Sequence, residues 1–230
     1  QGAGMLAGAS DQPRTRSMLF YDYFRSSAAF RCRIALNLKG VEPTFKSVHL
    51  KHGEQHSDAF KALNPQGLLP ALVTDEGAVL IQSLAILEWL DETHPTPPLL
   101  SSDPTTRAQE RGFAQVIACE IHPLQNLRVL KYLTGELGLL DDQKDAWLQR
   151  WLREGLEACE GLLQARPETA FCYGDTPGLA DICLVPQVFS AQRFNVEISD
   201  LPRISAAYAA CQKLDAFKKA APQNQPDFEA

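Results

Sequence analysis

The sequence contains no run of about 18 apolar residues, so it offers no candidate for a membrane-spanning helix. Nor is there an excess of basic residues. Its 22 Lys and Arg stand against 28 Asp and Glu, a net charge of −6, which argues against nucleic acid or an anionic membrane surface as the main partner. The six cysteines, at 32, 119, 159, 172, 183 and 211, form no C-x-x-C pair and no Cys/His group with zinc spacing, so no metal is expected. They read as reduced, mostly buried thiols of a cytoplasmic protein. His49, His52 and His56 are near one another but fall across a strand end and a loop, which is poor spacing for a metal site. The first 17 residues, QGAGMLAGASDQPRTRS, lack the apolar core of a secretory signal and read as a disordered extension or tag. What remains is ordinary for a folded globular chain, 45% hydrophobic and 22% charged.

Residues 18–97 alternate between strand-like and helix-like runs. Leu19–Tyr23 reads as a strand, and Phe30–Lys39 as a helix with Phe30, Ile34, Ala35 and Leu38 on its apolar face and Gly40 as its stop. Phe45–Leu50 is a second strand, Asp58–Leu63 a short helix, and Leu68–Thr74 and Ala78–Gln82 a hairpin across the turn DEG. Ser83–His94 is a helix with Ser83 as its N-cap. The order β-α-β-α-β-β-α predicts a small α/β unit with a mixed four-stranded sheet. The stretch PTPPLLSSDP then carries four prolines in ten residues, which no helix tolerates, so it reads as a linker. Residues 98–230 read as all-helical. Their helices are Thr105–Leu133, with a bend at Pro123, then Asp142–Gln164, Gly178–Phe194 and Ile204–Leu214. The tail APQNQPDFEA is expected to wrap the surface.

Three features fall at element ends that this topology brings to one edge. The first is the pair Ser26–Ser27 between strand and helix. Serines there cap the orphan N–H groups of the first turn, or they help those N–H groups hold an anion. The second is Pro70 in GLLPAL. Proline at a strand start is either a trans loop residue or a candidate for a cis X–Pro bond. The third is Gln82–Ser83, between the last strand and a helix.

Together, FRSSAAFRCRIALNLKG, ALNPQGLLPAL, IQSLAILEWLDE, PTPPLL, HPLQNLRVLKYL and LADICLVPQVFSAQRF resemble the zeta class of glutathione transferases over nearly all of Met18–Asp227. The resemblance implies a thioredoxin-like glutathione-binding domain (18–97) followed by an all-helical substrate domain (98–230), and glutathione as cofactor. It implies Ser26 as the hydroxyl that holds the glutathione sulfur as thiolate, because a free thiol with a pKa near 8.5 is only slightly ionised at neutral pH. Ser27 and the first-turn N–H groups through Ala28, Ala29, Phe30 and Arg31 would add to that field. Gln55 is assigned to the glycyl end, the Leu69 backbone to the cysteinyl unit, and Gln82 and Ser83 to the γ-glutamyl carboxylate. His122 and Asn126 are assigned to the glutathione side of the cleft. Arg25, Arg128 and Arg193 would bind the carboxylates of a small dicarboxylate substrate, since the planar guanidinium grips a carboxylate with two hydrogen bonds. Each of the three is otherwise a surface arginine.

The activity implied is cis–trans isomerisation of a maleyl keto-dicarboxylate in the breakdown of aromatic amino acids or other aromatic compounds, by a homodimer, with glutathione required and not consumed. The alternative is a general transferase of the same class that conjugates or dehalogenates small electrophilic acids. A non-catalytic ligand carrier is a third reading, opposed by Ser26, Pro70, Gln82 and Ser83. The chain departs from the class pattern at Ala28, where cysteine is usual, and at Phe30, where tryptophan is usual. Gly178 replaces the serine or threonine common at that helix start, where Asp181 is expected to serve folding. Cys32 is expected to be a packed structural thiol.

Overall fold

A computed structural model describes residues 17–229; the expected N-terminal extension lies, but for Ser17, outside the described residues. Four strands form one sheet in the order β2-β1-β3-β4. They are β1 (Leu19–Asp22), β2 (Thr44–Ser47), β3 (Ala71–Val73) and β4 (Val79–Ile81). β1 and β2 run parallel, with Phe20 opposite Phe45, as a strand–helix–strand crossover requires. β3 is antiparallel to both β1 and β4, so the sheet is mixed. Phe20 and Leu72 are fully buried on the central strands, whereas every residue of the edge strand β2 is exposed.

Helices α1 (Ser27–Lys39) and α3 (Ser83–Thr93) pack on this sheet, and α2 (Asp58–Leu63) lies beyond β2. α1 begins three residues earlier than the apolar period indicates. Ser26 is its N-cap, and the capping bond holds Ser27 to Ala29, which have no apolar stripe of their own, in helical form. At α3 the cap is Gln82, not Ser83. Gln82 takes φ 70° and makes no side-chain cap bond, so Ser83 is the first helical residue. The Leu69–Pro70 bond is cis, and so is Thr96–Pro97 in the linker.

The second half holds α4 (Pro104–Gln115), α5 (Leu127–Gly135), α6 (Asp141–Gln164), α7 (Leu179–Arg193), α8 (Pro202–Cys211) and α9 (Asp215–Ala220). The single helix expected over Thr105–Leu133 is broken rather than bent. Between α4 and α5 the chain widens to a π-helix at Val116–Ile121 and tightens to a 3-10 turn at His122–Gln125. Pro123 has no N–H and crowds the carbonyl four residues back, and the α-helical ladder is interrupted there. Asn126 then caps α5 by accepting from the Arg128 N–H at 3.2 Å. The Trp147 indole donates to the Leu124 carbonyl at 2.8 Å and holds this irregular segment on α6.

One hydrophobic cluster runs from Met18 to Ala221 and includes residues from both sides of the linker. α7 is at its centre: Ile182, Cys183, Leu184, Val185 and Val188 are all fully buried. Asp181 anchors its start, accepting from Gly178 N–H at 3.0 Å, Cys172 N–H at 2.9 Å and the Cys211 thiol at 3.8 Å. Glycine at 178 has a steric cause, for a Cβ there would meet the Leu99 carbonyl at 2.8 Å. Cys32 is buried within α1, and burial pushes its thiol pKa far up, so it stays protonated.

Candidate active site

A cavity of about 510 Å³ opens where the β1–α1 corner faces the 3-10 turn and the end of α7. The corner is built by Ser26. Its N–H donates to the Tyr23 carbonyl at 2.9 Å, and its carbonyl accepts from Phe30 N–H at 2.8 Å. Its Oγ accepts from Ala29 N–H at 3.2 Å. That leaves the Ser26 O–H proton free to donate, because a hydroxyl carries one donor beside its acceptor lone pairs. Capping and anion binding are therefore not exclusive here: one atom caps with its lone pair and keeps its proton. The N–H groups of Ala29 and Phe30, assigned to the ligand by the resemblance, are already taken by Ser26. Those of Ser27 and Ala28 have no partner among the described residues.

Of the residues singled out from sequence, Arg25, Ser26, Ser27, Gln55, Leu69, His122, Asn126, Arg128 and Arg193 line the cavity. Ala28, Ala29, Phe30 and Arg31 do not. Their side chains are buried beneath it, with the Phe30 ring edge-on to Phe189 at 6.1 Å. Gln82 and Ser83 stand just outside the lining. The Gln82 amide donates at 2.7 Å to Gln66, which is itself part of the wall.

The wall nearest β3 carries unspent hydrogen-bonding groups. Gln55 is 7% exposed and its Oε1 has no partner. The Leu69 N–H and C=O make no hydrogen bond among the described residues. Gly67, at φ 63°, lets the loop close over Gln55, since a Cβ would sit 3.1 Å from the Gln55 carbonyl.

The lining is cationic. Arg25, Lys51, Arg128, Lys131 and Arg193 line the cavity, Lys51 paired with Glu229 at 3.3 Å, and among the described residues no Asp or Glu lines it, in a chain of net charge −6. Arg193 closes α7 and lies over the Phe194 ring at 4.6 Å. Burial first, and then the Arg25 charge, hold its pKa below the ordinary arginine value. Two guanidiniums thus repel across a space that lacks an anion of the chain's own. The buried amides of Gln125 and Gln187 exchange hydrogen bonds at 3.2 and 3.5 Å, tying the 3-10 turn to α7. Tyr23, Lys51, Gln66, Gln125, Lys131 and Ser190 also line the cavity and were not singled out from sequence. They come from separate loops and helix ends, and no local pattern marks them.

His122 has its pKa pushed down to about 3, by burial first and the Arg31 charge second. It is a neutral imidazole at any working pH and adds no charge to that of the arginines. The depressed value has a stability consequence. Above pH 6.5 neither folded nor unfolded chain protonates this group. As pH falls from 6.5 towards 3 the unfolded chain takes up a proton that the folded chain refuses, so stability is lost over that window. Between pH 7.5 and 4.5 this single linkage is worth about 2–3 kcal/mol. His122→Gln is therefore expected to lose that much less stability than the natural chain over the interval, read from urea unfolding at the two pH values. Parallel losses would remove His122 from the acid response.

The sequence model described as "Glutathione S-transferase, N-terminal domain" matches residues 25–93. A maleylpyruvate isomerase of Ralstonia sp is 50% identical over 212 residues, which are 91% of this chain and 99% of that protein. The solved holo structure of a maleylpyruvate isomerase, described as a bacterial zeta-class glutathione S-transferase, superposes with a TM-score of 0.89 at 48% identity, covering 92% of this chain and 100% of that one. A maleylacetoacetate isomerase of Methylobacterium extorquens AM1, solved with bound malonate and GSH, also gives 0.89, at 39% identity over 92% of this chain and 100% of the other.

Proposed function

The chain belongs to the zeta-class glutathione transferases known as maleylacetoacetate and maleylpyruvate isomerases, and from that premise we propose that it converts a maleyl keto-dicarboxylate to its fumaryl isomer with glutathione as cofactor. The observation that carries this reading is the cavity itself: Arg25, Arg128, Lys131 and Arg193, with no carboxylate among the described lining residues, face a serine whose hydroxyl proton is free.

The residues present fit glutathione. Ser26 offers a hydroxyl to the sulfur, and the uncapped N–H groups of Ser27 and Ala28 add the positive end of α1. The orphaned Gln55 Oε1 and the free Leu69 backbone suit a peptide. Ser83, at the start of α3, suits a carboxylate. When bound, glutathione supplies a thiolate that adds reversibly to the conjugated cis double bond, which can then turn as a single bond. The chain's part is electrostatic and positional. Ser26 and the α1 N-terminus favour the ionised sulfur. Arg25 and Arg193 bind one end of the dicarboxylate and Arg128 the other, so that negative charge building up on the ketone side meets donors already in place. His122 stays neutral, so it adds no positive charge of its own to the cavity.

Steady-state turnover of a maleyl keto-dicarboxylate, with free glutathione followed in parallel, tests this. Isomerisation is expected at constant glutathione. Arg193→Ala is expected to raise KM for the dicarboxylate about ten- to hundred-fold, the worth of one or two charge-assisted hydrogen bonds, while the KM for glutathione barely changes. Stoichiometric loss of glutathione would replace the isomerase with a conjugating transferase. The chain is further read as a cytoplasmic homodimer. Five buried free cysteines support the first part, and Val79, exposed on the edge strand β4, supports the second. A light-scattering mass of one chain at micromolar concentration would reject the dimer.

A further inference from the structure

Two arginines of α1, two residues apart, are buried to the same degree: Arg31 is 1% exposed and Arg33 is 2%. Arg33 is matched by Asp22 at 2.7 Å. Arg31 has no carboxylate partner among the described residues. Its Nη1 donates to Ser83 Oγ at 3.2 Å, and its Nε and Nη2 are buried with no partner among the described residues. The titratable groups that couple to its charge are Cys183, Cys32, Cys119 and the neutral His122, none of them an anion. Burial keeps Cys32 and Cys183 protonated, so neither balances the charge. A buried guanidinium without an anion is costly, and the described residues supply it one hydroxyl acceptor and no anion.

The one group it does touch opens α3, an eleven-residue helix. That helix start is bare on the chain's side. Gln82, its N-cap, makes no side-chain cap bond, and its amide reaches instead to Gln66 on the cavity wall. Ser83 Oγ accepts from Arg31, so its own O–H proton is left for another partner. Uncapped helical N–H groups, a free hydroxyl proton and an unbalanced cation behind them converge on one place, and they complement a carboxylate.

We propose that Arg31 is a positioning residue for the γ-glutamyl carboxylate of glutathione: it holds Ser83 Oγ as an acceptor, directs the Ser83 O–H at that carboxylate, and has its charge balanced when the carboxylate arrives. The inference rests on the glutathione reading above. It also accounts for the persistence of an uncompensated buried charge, because binding supplies the missing anion.

The test uses the full chain, its Arg31→Met and Arg31→Lys variants, and two ligands, titrated calorimetrically. One ligand is glutathione. The other is N-(4-aminobutanoyl)-cysteinylglycine, which differs by lacking the γ-glutamyl carboxylate. Arg31→Met is expected to bind glutathione about ten- to hundred-fold more weakly and the analogue as the natural chain does. Arg31→Lys, which keeps the charge, loses less. Without ligand, Arg31→Met is expected to melt no lower than the natural chain, since a buried unpaired charge has been exchanged for an apolar side chain. Its gain in Tm on adding glutathione shrinks. Unchanged glutathione affinity in Arg31→Met overturns the proposal, and so does an equal loss for both ligands. Variants that both unfold would assign Arg31 to the fold and also overturn it. A natural chain that binds neither ligand would overturn the glutathione reading, and this inference with it.

Discussion

Ser26→Ala is expected to lower kcat/KM about hundred-fold or more while leaving the protein folded. The size follows from the role proposed for the hydroxyl. Removing one preorganised donor from a developing or standing anion costs on the order of 10²–10³ in rate. Ser26 holds such a donor in place through its own backbone bonds to Tyr23 and Phe30, so the group needs no reorganisation when the sulfur ionises. The same substitution removes the Oγ that caps α1 through Ala29 N–H, which is worth about 1 kcal/mol of stability. The two losses are separable. The ultraviolet thiolate band of the glutathione complex should weaken at neutral pH and return at higher pH, because the sulfur reverts towards a free thiol pKa near 8.5. A cap alone would move Tm and leave that titration where it was. Ser26→Thr keeps the hydroxyl and should retain most of the signal. If Ser27→Ala shows the larger loss and Ser26→Ala keeps its thiolate band, the role passes to Ser27.

The parts of this site that could be read in the sequence are those set by neighbours in the chain. Ser26 and Ser27 stand out because a strand-like run meets a helix-like run there, and Pro70 because proline at a strand start is confined to few geometries. The α/β order and the proline-rich linker were legible for the same reason, since period and turn chemistry are local. What was not legible depends on partners far away in the chain. Lys51 and Lys131 look like ordinary surface lysines until the turn after β2 and helix α5 bring them to one cavity. Gly178 reads as a tolerated N-cap, and only the Leu99 carbonyl beside it explains why the position has no side chain. The long helix expected over Thr105–Leu133 kept its apolar faces on paper, but Pro123 outweighed them. The resulting π-helix and 3-10 turn are what set His122 and Asn126 on the cavity wall. Gln82 and Ser83 exchanged places at the cap of α3 because Gln82 takes a left-handed backbone, which no pattern in the sequence announces.

The largest expected loss of stability belongs to Arg33, the partner of the corner that carries Ser26. Its guanidinium binds Asp22 at 2.7 Å, the Phe24 carbonyl at 3.1 Å and the Tyr23 carbonyl at 3.4 Å. Its Nε donates to the Ala220 carbonyl at 2.9 Å, so it also ties α9 to α1. Asp22 is 4% exposed, and its pKa is raised because burial outweighs the attraction of Arg33. Arg33→Met removes the cation that opposes this burial. An uncompensated buried carboxylate costs about 3–5 kcal/mol, which for a chain of this length lowers Tm by roughly 6–20 °C. The pH dependence has a definite sign. A carboxyl whose folded pKa is raised contributes stability below its unfolded pKa of 3.8 and loses it as pH rises through the folded value. Without Arg33 the folded pKa rises further, so the deficit of the variant should be greatest at neutral pH and should narrow as pH falls towards 4. Adding Asp22→Asn to Arg33→Met should recover part of the loss, because the buried charge is gone. Glutathione affinity should fall in Arg33→Met even well below its Tm, since the Tyr23 carbonyl that receives the Ser26 N–H loses its second donor. Thermal melts of the three variants across pH check each step, and an Arg33→Met chain within about 1 kcal/mol of the natural one at pH 7 would show that the corner stands without this ion pair.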